Sequence, residues 1–164
     1  MEVINTRRSV RSYQDRQVEE EKIELLLRAA MQAPSAMNQQ PWEFIVVEDR
    51  AILKGLSEKL TYGKMLAEAP LAIILLANTK SLKSPLRWPQ DMAAASENIL
   101  LQATKLGLGS VWVSLYPDDE REGYVREILG VKEPLVPFNI ISIGYPKEKM
   151  KFIDRFDRNK IHRR

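Results

Sequence analysis

The longest apolar run of this chain is Leu71–Ala77, which reads LAIILLA. Its apolar residues follow one another without a single polar residue between them. A strand with one wet face alternates apolar and polar side chains, so this unbroken run predicts a strand that is buried on both faces. A helix needs about 20 apolar residues to span a bilayer, so the run is too short to cross a membrane.

Helical patterns and short apolar strands alternate on both sides of this stretch. The predicted helices are at 2–6, at 18–32, after a cap at Asp49, at 91–106 and after a cap at Asp118; the other predicted strands are at 44–47, 111–113 and 138–143, and 79–90 is a predicted loop. The alternation predicts one layered α/β domain around a central sheet. The helix at 91–106 is apolar nearly all round, which favours burial in the core or at a subunit interface.

The composition excludes several classes of function. The 164 residues include no cysteine, which excludes disulfide scaffolds, iron–sulfur clusters and thiol catalysis. The one histidine, His162, excludes a multi-histidine metal site within one chain and a triad centred on histidine. The N-terminus has no basic region followed by an apolar run, so we expect no signal peptide, no membrane partner and a soluble, cytoplasmic protein.

Basic residues cluster near both ends of a chain whose formal net charge is +3. In the segment 7–11, RRSVR, an extended backbone would place Arg7, Ser9 and Arg11 on one side, which suits a phosphate group. The alternative is a solvated basic turn. The basic tail at 155–164 lacks the aromatic interleaving of a nucleic-acid interface, so nucleic-acid binding is disfavoured.

The connection at 33–42, APSAMNQQPW, is unusually rich in hydrogen-bonding side chains. Pro34 ends the preceding helix, and Pro41 biases Gln40 towards an extended backbone. The carboxamides between them both donate and accept, which suits the edge of a flat heteroaromatic ring. The alternative is a polar loop whose side chains cap neighbouring backbone groups.

No dinucleotide-binding fingerprint, P-loop or nucleophile elbow is present in the sequence. If the two candidate sites bind one ligand, that ligand has a phosphate and a flat polar ring, and FMN fits this description. The cofactor would then supply the redox chemistry.

Four motifs in this order resemble the nitroreductase family of FMN-dependent oxidoreductases: RRSVR at 7–11, APSAMNQQPW at 33–42, GLGSVW at 107–112 and IGYP at 143–146. The resemblance covers nearly the whole chain. It implies a three-layer α+β fold with a central mixed sheet flanked by helices, and an intertwined homodimer whose tail, about 147–164, extends onto the partner subunit.

The resemblance also implies the residues that bind FMN at the subunit interface. They are Arg7, Arg8, Ser9 and Arg11 for the phosphate and ring edge; Pro34, Ser35, Ala36, Asn38 and Gln40 towards the flavin of the partner subunit; Lys64 near the pyrimidine side of the ring; Ser114, Leu115 and Tyr116 along the ring; and Lys160, or Arg155, at the phosphate. The resemblance implies no catalytic side chain, because FMN carries the chemistry, and no metal. It also implies that His162 is a packing or interface residue.

The implied reaction is a ping-pong transfer in which NADH or NADPH reduces the flavin and leaves, and a nitroaromatic, a quinone or a similar small acceptor then oxidises it. A nicotinamide cofactor that visits only as a substrate agrees with the missing fingerprint. The alternatives are a flavin-binding or regulatory module without turnover, and a specialised branch that removes halogens or fragments flavin.

Overall fold

The four strands of the chain form one sheet, with LAIILLA in an inner strand. The structure, a computed structural model, describes residues 2–80, 82–148 and 151–164, so position 81 of the predicted loop and positions 149–150 of the predicted tail lie outside it. The strands are β1 (Trp42–Val47), β2 (Leu71–Asn78), β3 (Gly109–Ser114) and β4 (Leu135–Gly144), in the order β1-β2-β4-β3. Every residue of the LAIILLA stretch is buried, as predicted.

Helices cover both faces of this sheet. They are α1 (Glu2–Thr6), α2 (Glu20–Met31), α3 (Arg50–Lys59), α4 (Trp88–Lys105) and α5 (Asp119–Leu129). Helices α2 and α4 pack on the face that carries Ile73 and Leu75. Helices α3 and α5 pack on the opposite face, against Ile74 and Leu76. The predicted three-layer α+β fold is therefore confirmed.

The sheet, expected to be mixed, is antiparallel through all four strands. Parallel pairing within the described ranges is limited to a single bridge between Ser9 and Ser110, beside β3. Strand β2 is apolar without alternation because both faces carry a helical layer, and this is independent of strand direction.

Local sequence signals predicted the starts of α3 and α5 correctly, but not the start of α4. Asp49 and Asp118 are the predicted caps: the Asp49 carboxylate accepts from the backbone N–H groups of Ala51 and Ile52, and that of Asp118 from Arg121. Helix α4, in contrast, starts at Trp88, inside the stretch that was predicted to be a loop. Proline is tolerated in the first turn of a helix, so Pro89 does not prevent this early start.

The N-terminal segment is fixed against β3 and β4, which positions its arginines. An added Cβ at Gly109 would lie 2.7 Å from the Cγ1 atom of Val10, so only glycine allows the segment to approach this closely. The buried Tyr13 hydroxyl donates to the Val10 carbonyl oxygen and pairs with the Ser142 hydroxyl, both at 2.7 Å. Burial raises the pKa of the Tyr13 phenol.

The tail is exposed throughout its described residues, 151–164. Among these residues, Arg158–Lys160 form a short 3₁₀ turn. Of the helices that the structure describes, none is both long enough and apolar enough to pass through a bilayer.

Candidate functional site

A cavity of about 450 Å³, which we call the main cavity, lies beside the edge strand β3 and brings three predicted site residues together. It is lined by Arg11, Thr61, Tyr62, Lys64, Met65, Val111, Trp112, Val113, Ser114 and Arg121. Arg11, Lys64 and Ser114 were predicted from the sequence, and their convergence comes from three separate elements of the chain. The volume is in the range of small-molecule sites, which is about 300–1,000 Å³.

The lining of the main cavity is positively charged. Its charged members are Arg11, Lys64 and Arg121, and the described lining includes no carboxylate. The Lys64 ammonium donates to the Ser57 carbonyl oxygen at 3.1 Å, near the end of α3, and this contact holds it at the cavity wall. Arg121 is paired with Asp118 at 3.1 Å. Such a lining favours a ligand that carries or gains negative charge.

A second cavity, of about 360 Å³, lies between α1 and the tail and contains Arg7, Arg8 and Arg155. The Nε atom of Arg7 is 3.4 Å from the Glu97 carboxylate on α4. Arg8 donates from Nη1 to the Arg7 carbonyl oxygen at 2.5 Å. Its Nε and Nη2 atoms are buried and have no hydrogen-bond partner among the described residues.

Those two nitrogen atoms are an unusual feature. A buried donor without an acceptor costs about 1–3 kcal/mol, and more when it is charged. Native proteins therefore satisfy nearly all such groups with protein, water or ligand atoms. A ligand with anionic oxygen atoms is the partner that a guanidinium fits best.

A third cavity, of about 420 Å³, borders the loop between α2 and β1 and is lined by Pro34, Ser35 and Ala36 together with Arg87, Gln90, Asp91 and Ala94. The backbone of this loop is strained. Met37, Asn38 and Gln40 have positive φ angles of 51°, 50° and 46°. Left-handed backbone at a residue other than glycine costs on the order of 1–3 kcal/mol, and such residues concentrate at functional sites.

Two side chains hold the strained loop in place. The buried Asp91 carboxylate accepts from the Ala36 N–H at 2.9 Å and from the Gln39 amide nitrogen at 2.6 Å. The Ser35 hydroxyl accepts from the Gln40 N–H at 3.0 Å. This last contact explains why Gln40 is left-handed, whereas the following proline predicted an extended backbone.

The loop fits both interpretations of its sequence. Gln39 caps the backbone of Ser84, accepting from its N–H at 2.9 Å, as the capping alternative predicts. Asn38 and Gln40 are exposed and pair with each other at 3.0 Å, so their outer edges are available to a ligand.

The remaining predicted residues are more dispersed. Ser9 is exposed and its backbone bridges to Ser110. Leu115 is only 1% exposed, with its side chain in the core, so it could contact a ligand only through its backbone. Tyr116 packs against Trp88, with ring centroids 4.6 Å apart. Lys160 lies in the exposed 3₁₀ turn of the tail, and no residue lines more than one of the three cavities.

Sequence reasoning missed several residues that line these cavities. Thr61, Tyr62 and Arg121 line the main cavity, and Arg87 and Asp91 lie beside the loop. Asp91 lies in the first turn of α4, a position where an acidic residue is common because it complements the helix dipole. Nothing in the sequence indicates that its carboxylate is buried against a loop more than fifty residues away.

Comparison with known proteins agrees with this geometry. The model of the "Nitroreductase family" matches residues 4–61 and 53–145. A protein of Archaeoglobus fulgidus named "Putative NADH dehydrogenase/NAD(P)H nitroreductase" is 52% identical over 167 residues, which cover 99% of this chain and 96% of the relative.

Two solved structures extend the comparison. A "Putative NADH Oxidase" of Clostridium acetobutylicum has a TM-score of 0.95 at 55% identity and covers 98% of this chain and 97% of its own. An "FMN-dependent Nitroreductase" of Clostridium difficile has a TM-score of 0.89 at 40% identity, with 98% and 96% coverage. The chain belongs to the nitroreductase family.

Proposed function

We propose that the protein is an FMN-dependent oxidoreductase that takes electrons from NADH or NADPH and passes them to a small acceptor such as a nitroaromatic or a quinone. The observation that carries the proposal is the main cavity, where Arg11, Lys64 and Ser114 converge in a basic, apolar-walled space. Membership of the family and the FMN-dependent relative support the same function.

The residues present fit this cofactor. FMN combines a dianionic phosphate with a flat ring whose edge carries carbonyl oxygen atoms and nitrogen atoms. The two buried nitrogen atoms of Arg8 that have no partner among the described residues are suited to anionic oxygen. Arg7 and Arg155, in the same cavity, add two more guanidinium groups. The loop contributes backbone and carboxamide groups of the kind that pair with ring edges.

In this assignment the N-terminal segment holds the phosphate through Arg7, Arg8 and Ser9, and a basic tail residue, Arg155 or Lys160, completes that site. Arg11 and Lys64 lie at the pyrimidine edge. Ser114 and the backbone of Leu115 line the ring, with Tyr116 behind them. The loop residues Pro34, Ser35, Ala36, Asn38 and Gln40 contact the cofactor of the partner subunit.

When bound, FMN would supply the redox chemistry, accepting two electrons from NAD(P)H and donating them to the oxidising substrate. The Lys64 ammonium, which donates to the Ser57 carbonyl oxygen, would hold a positive charge beside the ring and so stabilise negative charge that the cofactor gains on reduction. Met65, Val111 and Val113 are buried and give the same cavity an apolar wall. Orientation of donor and acceptor against the ring provides the rest of the rate enhancement.

The proposal includes a homodimer. The predicted flavin residues that line a cavity are divided among three cavities that share no lining residue, which is the arrangement expected when each site draws on two chains. The tail exposes Phe152, Ile153 and Phe156, each more than half exposed, which a partner surface would cover. A cytoplasmic location stays a prediction.

The visible spectrum of the purified protein, before and after anaerobic addition of NADH or NADPH, tests the function. We expect a yellow protein whose flavin bands bleach, and reoxidation by a quinone with the consumption of one NAD(P)H for each quinone reduced. A flavin that bleaches but is not reoxidised by any acceptor would indicate a module without turnover. A colourless protein that takes up no added FMN would refute the proposal.

A further inference from the structure

The connection between β2 and α4 carries three cations to which the proposed function gives no role. We call residues 79–90 the basic segment: its charged residues are Lys80, Lys83 and Arg87, and it contains no aspartate or glutamate. All three side chains are exposed, and none forms an ion pair with a carboxylate in the part of the chain that the structure describes. Such a segment favours a ligand that carries several negative charges.

The basic segment is anchored at its start, its middle and its end. The Thr79 hydroxyl donates to the Pro134 carbonyl oxygen at 2.8 Å. The Gln39 side chain accepts from the Ser84 N–H at 2.9 Å and donates to the Ser84 carbonyl oxygen at 3.3 Å. Trp88, with which α4 begins, is buried. Because Gln39 belongs to the strained loop, the loop and the basic segment are held together as one unit.

Arg87 brings the charge of the basic segment to the third cavity, which it lines together with the strained loop. Asp91 lines the same cavity, but its buried carboxylate accepts from the Ala36 N–H and the Gln39 amide and is not paired with Arg87. The Arg87 N–H donates to the Ser84 carbonyl oxygen at 3.0 Å, and this turn places Lys83 near Arg87. The rim of the third cavity therefore carries positive charge.

The proposed function leaves one phosphorylated reactant without a binding site. The cofactor phosphate is assigned to the second cavity and the cofactor ring to the main cavity. Both nicotinamide donors carry a pyrophosphate, and NADPH has a further phosphate on the 2′-oxygen of its adenosine ribose. The sequence has no dinucleotide-binding fingerprint that would hold this half of the donor, so its phosphates need cations elsewhere on the protein.

We propose that Arg87 is a specificity-determining residue that binds the 2′-phosphate of NADPH, that Lys83 adds positive charge beside it, and that the protein prefers NADPH to NADH as its electron donor. This inference rests on the proposed function and decides between the two donors that the proposed function leaves open.

The chemistry of the guanidinium selects this group. A guanidinium presents parallel N–H groups that match two oxygen atoms of one phosphate, and it stays charged at every physiological pH. An arginine near the ribose is also the residue type that accommodates a 2′-phosphate in dinucleotide-binding folds. NADH has a hydroxyl group at this position, so it gains no charge-assisted contact there.

Steady-state kinetics of the FMN-loaded protein test the inference. The quantity measured is the ratio of kcat/KM for NADPH to kcat/KM for NADH, with menadione as the acceptor at one fixed concentration. The variants are Arg87→Ala, Arg87→Lys and Lys83→Ala. Lys105→Ala is the matched control, because Lys105 is an exposed cation at the opposite end of α4, about 25 Å along the helix axis. Bound flavin is quantified in every variant.

We expect a wild-type ratio above one that falls about three- to tenfold in Arg87→Ala, through the KM for NADPH, as for an exposed charge-assisted contact. Arg87→Lys should keep part of the preference, since it retains the charge but loses the planar fork. Lys83→Ala should give a smaller fall, and added salt should reduce the ratio of the wild type. Lys105→Ala should keep the ratio of the wild type.

Three kinetic results would overturn the inference. A wild-type ratio of one or less would show that NADPH is not preferred. An equal loss with both donors in Arg87→Ala would place Arg87 at the pyrophosphate that they share. An equal fall of the ratio in Lys105→Ala and Arg87→Ala would show an effect of net charge without a specific site.

Equilibrium binding separates this inference from the proposed function. Calorimetric titration of the holoprotein should show tighter binding of adenosine 2′,5′-bisphosphate than of adenosine 5′-monophosphate, a difference that is lost in Arg87→Ala and kept in Lys105→Ala. If the wild type shows this difference but has no turnover, the proposed function fails and the Arg87 site stands. If the wild type oxidises both donors equally well and binds both nucleotides equally, the Arg87 site fails and the function stands.

Discussion

The substitution Asp91→Asn would test how the strained loop is held. The Asp91 carboxylate accepts two hydrogen bonds, one from the Ala36 N–H at 2.9 Å and one from the Gln39 amide at 2.6 Å. An asparagine has one acceptor oxygen, so one of these donors would meet an NH₂ group instead. The Gln39 side-chain amide cannot rotate to present its oxygen to that NH₂ group, because this oxygen already accepts from the Ser84 N–H at 2.9 Å.

The size of the effect follows from these contacts. One charge-assisted hydrogen bond is lost, at about 1.5–3 kcal/mol, and the other becomes a neutral one. We therefore expect the free energy of unfolding to fall by about 2–3 kcal/mol, and Tm to fall by about 4–12 °C for a chain of this size. The loop should also relax towards ordinary backbone angles, because one of the two side chains that hold the residues with positive φ angles in place is weakened.

Urea denaturation of the flavin-free protein, followed by far-ultraviolet circular dichroism at one fixed protein concentration, measures this loss. Asp119→Asn is the matched control, since Asp119 is an exposed carboxylate in the first turn of α5. It should cost only about 0.3–1 kcal/mol, the usual contribution of a charge at a helix N-terminus. A loss for Asp91→Asn that is no larger than the loss for Asp119→Asn would refute the anchoring role.

Three further predictions concern the cofactor site, the pH dependence and the N-terminal segment. Arg8→Met should weaken FMN binding by tenfold or more, measured by flavin fluorescence, because a charge-assisted contact contributes about 1.5–3 kcal/mol; unchanged affinity would contradict the phosphate assignment. The hydrogen bond from Tyr145 is the main cause that lowers the pKa of Glu19 to about 2, below the ordinary value of 4.5. Because the pKa of Glu19 is lower in the folded than in the unfolded protein, ionised Glu19 stabilises the folded state above about pH 4.5, and this contribution is lost as the pH falls from about 4.5 to 2. In Tyr145→Phe, the free energy of unfolding should therefore fall less steeply over this pH range. Gly109→Ala should destabilise the protein by about 1–3 kcal/mol in thermal unfolding, because the added Cβ would lie 2.7 Å from Val10; a neutral outcome would show that the segment can move away freely.

The fold was largely predictable because its signals are local. The LAIILLA stretch and the caps at Asp49 and Asp118 each depend on a few neighbouring residues. Strand direction was not predictable in the same way. An apolar run indicates burial on two faces but gives no information on whether its neighbours are parallel or antiparallel.

The candidate site was predictable only as a set of residue types. The sequence indicated that the loop carries carboxamides, but it could not show which are already engaged. Gln39 uses both ends of its amide on Ser84 and Asp91, whereas Asn38 and Gln40 face outward. These assignments depend on residues far apart in the chain, and on left-handed backbone angles that no local rule predicts for non-glycine residues.

Three features of the single chain support a site that is built by two chains. The Arg8 nitrogen atoms are buried and lack an acceptor among the described residues, so something else must provide one. The tail that contributes Arg155 to the same cavity exposes apolar side chains that water solvates poorly. The strained loop, whose conformation is maintained by Asp91, lines a separate cavity. The proposed dimer would meet all three requirements, with a cofactor phosphate at Arg8, a partner surface under the tail, and each loop directed at the flavin of the other subunit.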